Sequence, residues 1–201
     1  MMVVIVKGVR VPDSSRERMV RAAVELFQKR GYAATSFNDV IEHSGAPRGS
    51  IYHHFPRGKE QLAQEAVRWY AERVARRLES AVAAASATEA VELFVTGARD
   101  GLVASGFMAG CAVAGVALDV GPGEDALRSS VAEAFERWRQ ILAEVFRRRG
   151  ATPAQARRLS RFVVAAVEGA LILSRADRTV QPLDDVGVEL RAHLRVALGG
   201  Q

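Results

Sequence analysis

Glycine and proline cut this chain into segments within which apolar residues recur every three or four positions, a pattern that admits little besides helix. The breaks fall at Gly31, Ser44-Gly45-Ala46, Pro56-Arg57-Gly58, Gly106, Gly121-Pro122-Gly123, Gly150 and Gln181-Pro182. In the first segment, SSRERMVRAAVELFQKRG from Ser14, residues Met19, Ala22, Ala23, Leu26 and Phe27 form one stripe. Ser14 or Ser15 caps its start, and Gly31 after Lys29-Arg30 stops it. In the second, TSFNDVIEHSG, Ser36 and Asp39 approximate a capping box, with Asp in place of the usual Glu or Gln. Phe37, Val40 and Ile41 are its inner face. Pro47 suits the first turn of a third helix over 47–54, which buries Ile51 and Phe55. A long helix follows over 59–85, then five more near 88–105, 113–120, 124–149, 153–175 and 183–198. No repeat, sustained heptad or hairpin signal appears, so the expected fold class is all-α, with about nine helices.

The mixture of 49% apolar and 25% charged residues excludes a disordered chain. The net charge of +5 is unevenly placed. Residues 1–60 hold ten Lys/Arg against six Asp/Glu, whereas the remainder holds 18 against 17. A basic first third points to an anionic partner for that part. The single cysteine, Cys111, has no internal disulfide mate, as suits a reducing cytoplasm. No run approaches the roughly 20 apolar residues that span a bilayer. The expectation is a soluble cytoplasmic protein, with no membrane partner, preceded by a loose arm over 1–13.

The stretch APRGSIYHHFPRGKEQL is poor material for an ordinary amphipathic helix. Two short helices around a tight turn, behind a longer one, make a helix-turn-helix, whose second short helix lies in the major groove of DNA. On that arrangement Arg48 pairs bidentately with guanine. Gly49 clears room for close approach, and Ser50 reaches a base or phosphate. Tyr52 offers a phenol to phosphate, His53 and His54 donate ring N–H groups, and Lys59 shares a phosphate with the start of the long helix. Ser36 serves as a cap, a phosphate contact, or both. The plainer alternative makes Arg48, Arg57 and Lys59 solvated charges. The His pair does not read as a metal site, because adjacent helical residues diverge by about 100° and no third ligand has suitable spacing.

Residues 15–62 resemble the N-terminal domain of the TetR family of transcriptional regulators, through RERMVRAAVELFQKRGY, ATSFNDVIEHSG and GSIYHHFPRGKEQL. One extra residue stands before Lys59, as it does in the LmrA/YxaF-like branch. GFMAGCAVAGVALD (106–119) resembles that branch's G-C-P-x-x-x-x-A-L-[DE] segment, with Ala112 in place of its proline. The resemblance implies a helix-turn-helix domain over 14–58, then a helical ligand-binding and dimerisation domain over 59–201. It also implies a homodimer on double-stranded operator DNA, repressing until a small effector binds, with no cofactor.

For the interface, Phe162, Ala166, Gly169, Ala170 and Leu173 mix small and large residues on one helix, and Val186, Leu190 and Leu194 supply a strip on the last. Packing within one chain is the alternative. For the pocket, Trp69, Phe94, Phe107, Met108, Cys111, Phe135 and Trp138 would suit an apolar or aromatic effector, although each singly reads as core. Glu168, amid FVVAAVEGALIL, stays open between pocket anchor, interface contact and solvated face. Two other classes remain in view: an all-helical enzyme carrying a basic module, for which no catalytic arrangement of residues is evident, and a protein-interaction module, which the basic bias disfavours.

Overall fold

The computed structural model describes residues 14–84 and 86–199, which form nine helices and no strand; the arm expected over 1–13 lies outside the described residues. Helices α1 (Ser15–Arg30), α2 (Phe37–Ser44) and α3 (Ser50–His54) form an N-terminal trio. After them come α4 (Gly58–Ala84), α5 (Ala87–Ala104), α6 (Ala112–Asp119), α7 (Asp125–Arg148), α8 (Pro153–Asp177) and α9 (Gln181–Ala197).

The capping signals act where the sequence places them. Ser14 accepts from the Glu17 amide while Glu17 accepts from the Ser14 amide, closing a full capping box on α1. Ser36 and Asp39 do the same on α2, the shorter aspartate still reaching back to the Ser36 amide at 2.7 Å. Thr152 caps α8, with Pro153 in its first turn.

The third helix is shorter than expected. Pro47, Arg48 and Gly49 form a turn closed by the Ser50 amide on the Pro47 carbonyl at 3.0 Å, and α3 begins only at Ser50. The Ser50 hydroxyl donates to the same carbonyl at 2.7 Å, a local bond that competes with helical pairing. Ile51 and Phe55 are nevertheless fully buried, so the inward face is as expected. The long helix starts at Gly58, where the Gln61 side chain accepts from the Arg57 amide at 3.1 Å.

In the body, α4 lies along α7, α7 packs on α8, and α9 closes against α5 and α8. Trp138 on α7 is the largest fully buried side chain. Its indole donates to the Ala71 carbonyl of α4 at 2.9 Å, and Tyr70, Phe94 and Phe135 meet its ring edge to face. One residue thus joins α4, α5 and α7. Trp138→Ala should lower unfolding free energy by about 3–5 kcal/mol, because the cavity, the lost rings and the lost bond coincide. Urea denaturation followed by circular dichroism measures it.

Candidate nucleic-acid interface and its joint to the body

The N-terminal trio is braced so that one surface is left outward. Arg30 on α1 pairs with Asp39 on α2 at 2.7 Å, and His43 meets Glu25 at the same distance. The Ser36 hydroxyl and amide, followed by Arg30, hold the Asp39 carboxyl down to about 2. Arg16 ties α1 to Glu65 of α4 at 2.7 Å and lies over the buried ring of Phe55.

What remains outside is the turn and α3. Arg48, Gly49, Tyr52 and His53 are exposed, and Ser50 and His54 are half-buried. Tyr52 keeps two-thirds of its surface, standing edge-on to Phe37 with ring centroids 5.6 Å apart. That contact fixes the ring while leaving its phenol outward. A guanidinium, a phenol and an imidazole therefore project from about two turns of chain, donors suited to phosphates and base edges, while the Ser50 hydroxyl is engaged by the Pro47 carbonyl. Ser36 is exposed too, but its hydroxyl is committed to the capping box.

Lys59 is held more closely than a solvated lysine. Its Nζ donates to the Ala33 carbonyl at 3.3 Å and sits 4.2 Å from the centre of the Tyr32 ring. Burial lowers its pKa, opposed by the nearby carboxylates of Glu124, Asp119 and Asp39. One bond to a carbonyl leaves ammonium donors for a phosphate.

Glu124 and Asp119 belong to the body, and Asp39 to the head. Asp119, the last residue of α6, accepts from the Ala33 amide at 2.8 Å, and Glu124 accepts from the Tyr32 phenol at 2.6 Å. Burial, then this hydrogen bond, push the Tyr32 phenol above its ordinary value, while the same bond draws the Glu124 carboxyl down. Gly31 must be glycine here: its φ is 83°, and an added Cβ would stand 2.6 Å from Asp119 Oδ2. Nearby, the Gly110 amide donates to the Gln28 carbonyl at 2.8 Å and the Gln28 side chain donates to the Gly110 carbonyl at 3.0 Å. Arg175 of α8 also donates to the carbonyls of Gln28 and Lys29. The end of α1 and the loop after it are thus gripped by α6, the α6–α7 connection and α8. Sequence reading missed this joint, although G-C-A-x-x-G at 110–115 carried the signal of small residues needed for close approach.

Two cavities adjoin the joint. One, a narrow space of about 50 Å3, lies among α4, α5, α7 and α8, with Phe94, Cys111 and Trp138 of the expected pocket residues on its wall. The other, about 310 Å3, lies between α1, α6 and α8. Trp69 is elsewhere, on an open groove where Arg21 and Arg73 flank its ring. Phe107, Met108 and Phe135 line none of these spaces: Phe107 packs against the core, Met108 is half-exposed, and Phe135 is the edge support of Trp138. Of the expected interface residues, Phe162, Gly169 and Leu173 are exposed, and Ala166 and Val186 partly so. Ala170, Leu190 and Leu194 are at most 2% exposed within one chain, because they face the α5–α8–α9 core, and so they cannot meet a partner.

A braced helix-turn-helix with its second short helix outward and polar defines a DNA-binding protein. The family description "Bacterial regulatory proteins, tetR family" matches residues 19–66, and "Transcriptional regulator LmrA/YxaF-like, C-terminal domain" matches 87–189. The chain is 38% identical over 181 residues to an uncharacterized HTH-type transcriptional regulator of Mycobacterium tuberculosis, covering 88% of this chain and 92% of that one. It is 34% identical to the HTH-type transcriptional regulator LmrA of Bacillus subtilis, covering 84% and 90%. In fold it is similar to a TetR regulatory protein from Rhodobacter sphaeroides, with TM-score 0.81 and 22% identity over 89% of this chain and 98% of that one. The chain belongs to the TetR family of DNA-binding transcriptional regulators, in its LmrA/YxaF-like branch. Its relatives are regulators and not enzymes. Among the described residues no helix is long and apolar enough to cross a membrane.

The tightest approach of backbone to backbone in the joint is at Gly115, where an added Cβ would meet the Phe27 carbonyl oxygen at 2.9 Å. Gly115→Ala should therefore cost about 1–3 kcal/mol, since backbone rather than a movable side chain must give way. A urea midpoint equal to that of the unchanged chain would mean that α1 and α6 separate freely.

Proposed function

We propose that this regulator is a repressor that binds a palindromic operator as a homodimer and leaves it when a small apolar or aromatic effector enters the body. The reading head spans residues 14–58, and the ligand-binding and dimerising body spans 59–201. The observation that carries this reading is the double use of α6. Its N-cap, Cys111, adjoins both cavities, while Gly115 and Asp119 bear on α1 and its loop. An effector that displaces α6 must move the head, and heads in a dimer must match half-sites a helical turn or a multiple apart. The effector shifts the equilibrium only in so far as it prefers the state that cannot hold DNA.

The dimer face on this reading is the outer side of α8 and α9. Phe162, Leu173, Val188 and Val196 are all at least 49% exposed there, with Ala166 and Gly169 allowing close approach. A structural neighbour, a cysteine mutant of the TetR-family regulator CifR, is described as complexed with double-strand operator DNA, at TM-score 0.68 and 21% identity over 96% of this chain and 98% of that one. That supports the outward face of α3 as the DNA surface.

Two substitutions separate the roles within the head. Arg48→Ala should relax preference at one symmetric pair of bases, at about 1–3 kcal/mol per half-site. Lys59→Ala should weaken binding to all sequences alike and reduce the salt slope by roughly one per site. Gel shifts at several salt concentrations, with the chain's own upstream DNA and scrambled DNA, measure both. Loss of discrimination in the Lys59 variant, or uniform loss in the Arg48 variant, would exchange the two assignments. Leu173→Arg should convert dimer to monomer in sedimentation velocity; an unchanged dimer would move the interface elsewhere.

A further inference from the structure

The two cavities are not independent. Cys111, Glu168 and Leu171 belong to the walls of both, so the Glu168 carboxyl stands at the partition between them. We propose that Glu168 is the anchor for an effector carrying a positively charged amine on an apolar, aromatic body. This rests on the reading that the body binds an effector, and it gives the apolar or aromatic effector expected from the sequence a positive charge.

Charge accounting leads to the cation. No ion pair joins Glu168 to any described residue. Three guanidinium groups line the same spaces, and each is engaged elsewhere. Arg77 pairs with Asp100 at 3.0 Å, Arg30 pairs with Asp39, and Arg175 donates to the α1 carbonyls. The Cys111 thiol stands beside the carboxyl, and a thiol is a weak donor. Desolvation raises the carboxyl to about 7, with the thiol opposing it. A partly buried acid so placed has no cation paired with it to stabilise its ionised form.

The walls match the rest of such a ligand. The wider space, about 310 Å3 with Phe27, Leu118, Leu171 and Ile172 on its wall, has room for an aromatic body, and the rings of Tyr70, Phe94 and Trp138 across the partition favour an ammonium end. An anionic ligand would meet repulsion from Glu168. A neutral hydrocarbon would cover the partly buried carboxyl without offering it a counter-ion. An ammonium satisfies both ends of the site.

The pH behaviour follows from the groups that face the partition. Those are Tyr70 and Arg77 from α4, Cys111 and Asp119 from α6, Arg30 from α1, and Arg175 from α8 itself. Burial pushes both the Tyr70 phenol and the Cys111 thiol up, away from neutrality. Glu168 is the member of this set whose charge changes near neutral pH. Amine binding should therefore tighten as pH rises from about 6 to 8, as the carboxyl loses its proton.

The test uses the full-length protein and two probes of one shape, naphthylmethylamine and naphthylmethanol, titrated calorimetrically. The amine should bind about tenfold or more tightly than the alcohol, as expected for a close pair of opposite charges out of water. Glu168→Gln should abolish that preference and the pH dependence while leaving alcohol binding within about twofold. Equal affinity for the two probes in the unchanged chain overturns the proposal but leaves an apolar effector site standing. Persistence of the preference in Glu168→Gln also overturns it. Binding of neither probe overturns the proposal, and the gel shift without probe then tells whether DNA binding stands apart from effector binding. The pH series on the unchanged chain decides the matter even if the variant does not fold.

Discussion

The contact on which the arrangement turns is a backbone-to-backbone approach between α1 and α6. Gly115 lets α6 lie against the Phe27 carbonyl, and Gly110 exchanges hydrogen bonds with Gln28. Such an approach is possible only without side chains between the two backbones. It is also hard to loosen by degrees, because two hydrogen bonds and a steric fit are lost together. The remainder of the joint is electrostatic and longer in reach: Asp119 on the Ala33 amide, Glu124 on the Tyr32 phenol, and Arg175 on the end of α1. A short rigid contact surrounded by polar ties transmits a displacement from the body to the head instead of absorbing it.

The parts of the fold governed by local rules were legible in the sequence. Ser14, Ser36 and Gly31 mark helix ends because caps and stops act within a turn of chain. The buried faces of α1 to α3 follow from apolar spacing, and the family resemblance is carried by the same segments. The start of α3 was not legible. Proline at 47 is as compatible with a helical first turn as with the turn observed, and the choice depends on where the Ser50 hydroxyl points. Pocket and interface assignments fared unevenly for a related reason. Composition says that Leu190 and Leu194 are apolar, but only packing says that they face inward in the same chain, leaving Val188 and Val196 outside. Trp69 reads as a pocket residue by type, and its place on α4 puts it on the wall of a separate groove where Arg21 and Arg73 flank its ring.

Lys59 shows how sequence and structure inform each other. The extra residue before it does not carry it away from the head. Gly58, with φ of 79°, takes up the added length and starts α4 at once. The ammonium then settles on Tyr32, a ring that Glu124 fixes from the other side. The lysine, the head's loop and the body's α6–α7 connection thereby form one cluster, in which the lysine's electrostatic surroundings depend on the position of the body.

That cluster limits how portable the head is. A helix-turn-helix grafted here from another regulator would have to bring a phenol opposite Glu124, a glycine opposite Asp119 and an amide side chain opposite Gly110. Without them it would sit on the body with unmet polar groups and a different tilt. The unit of exchange in a chimera is therefore the head together with its contact set on α6 and the following connection, and a splice between α3 and α4 would divide what the fold treats as one piece.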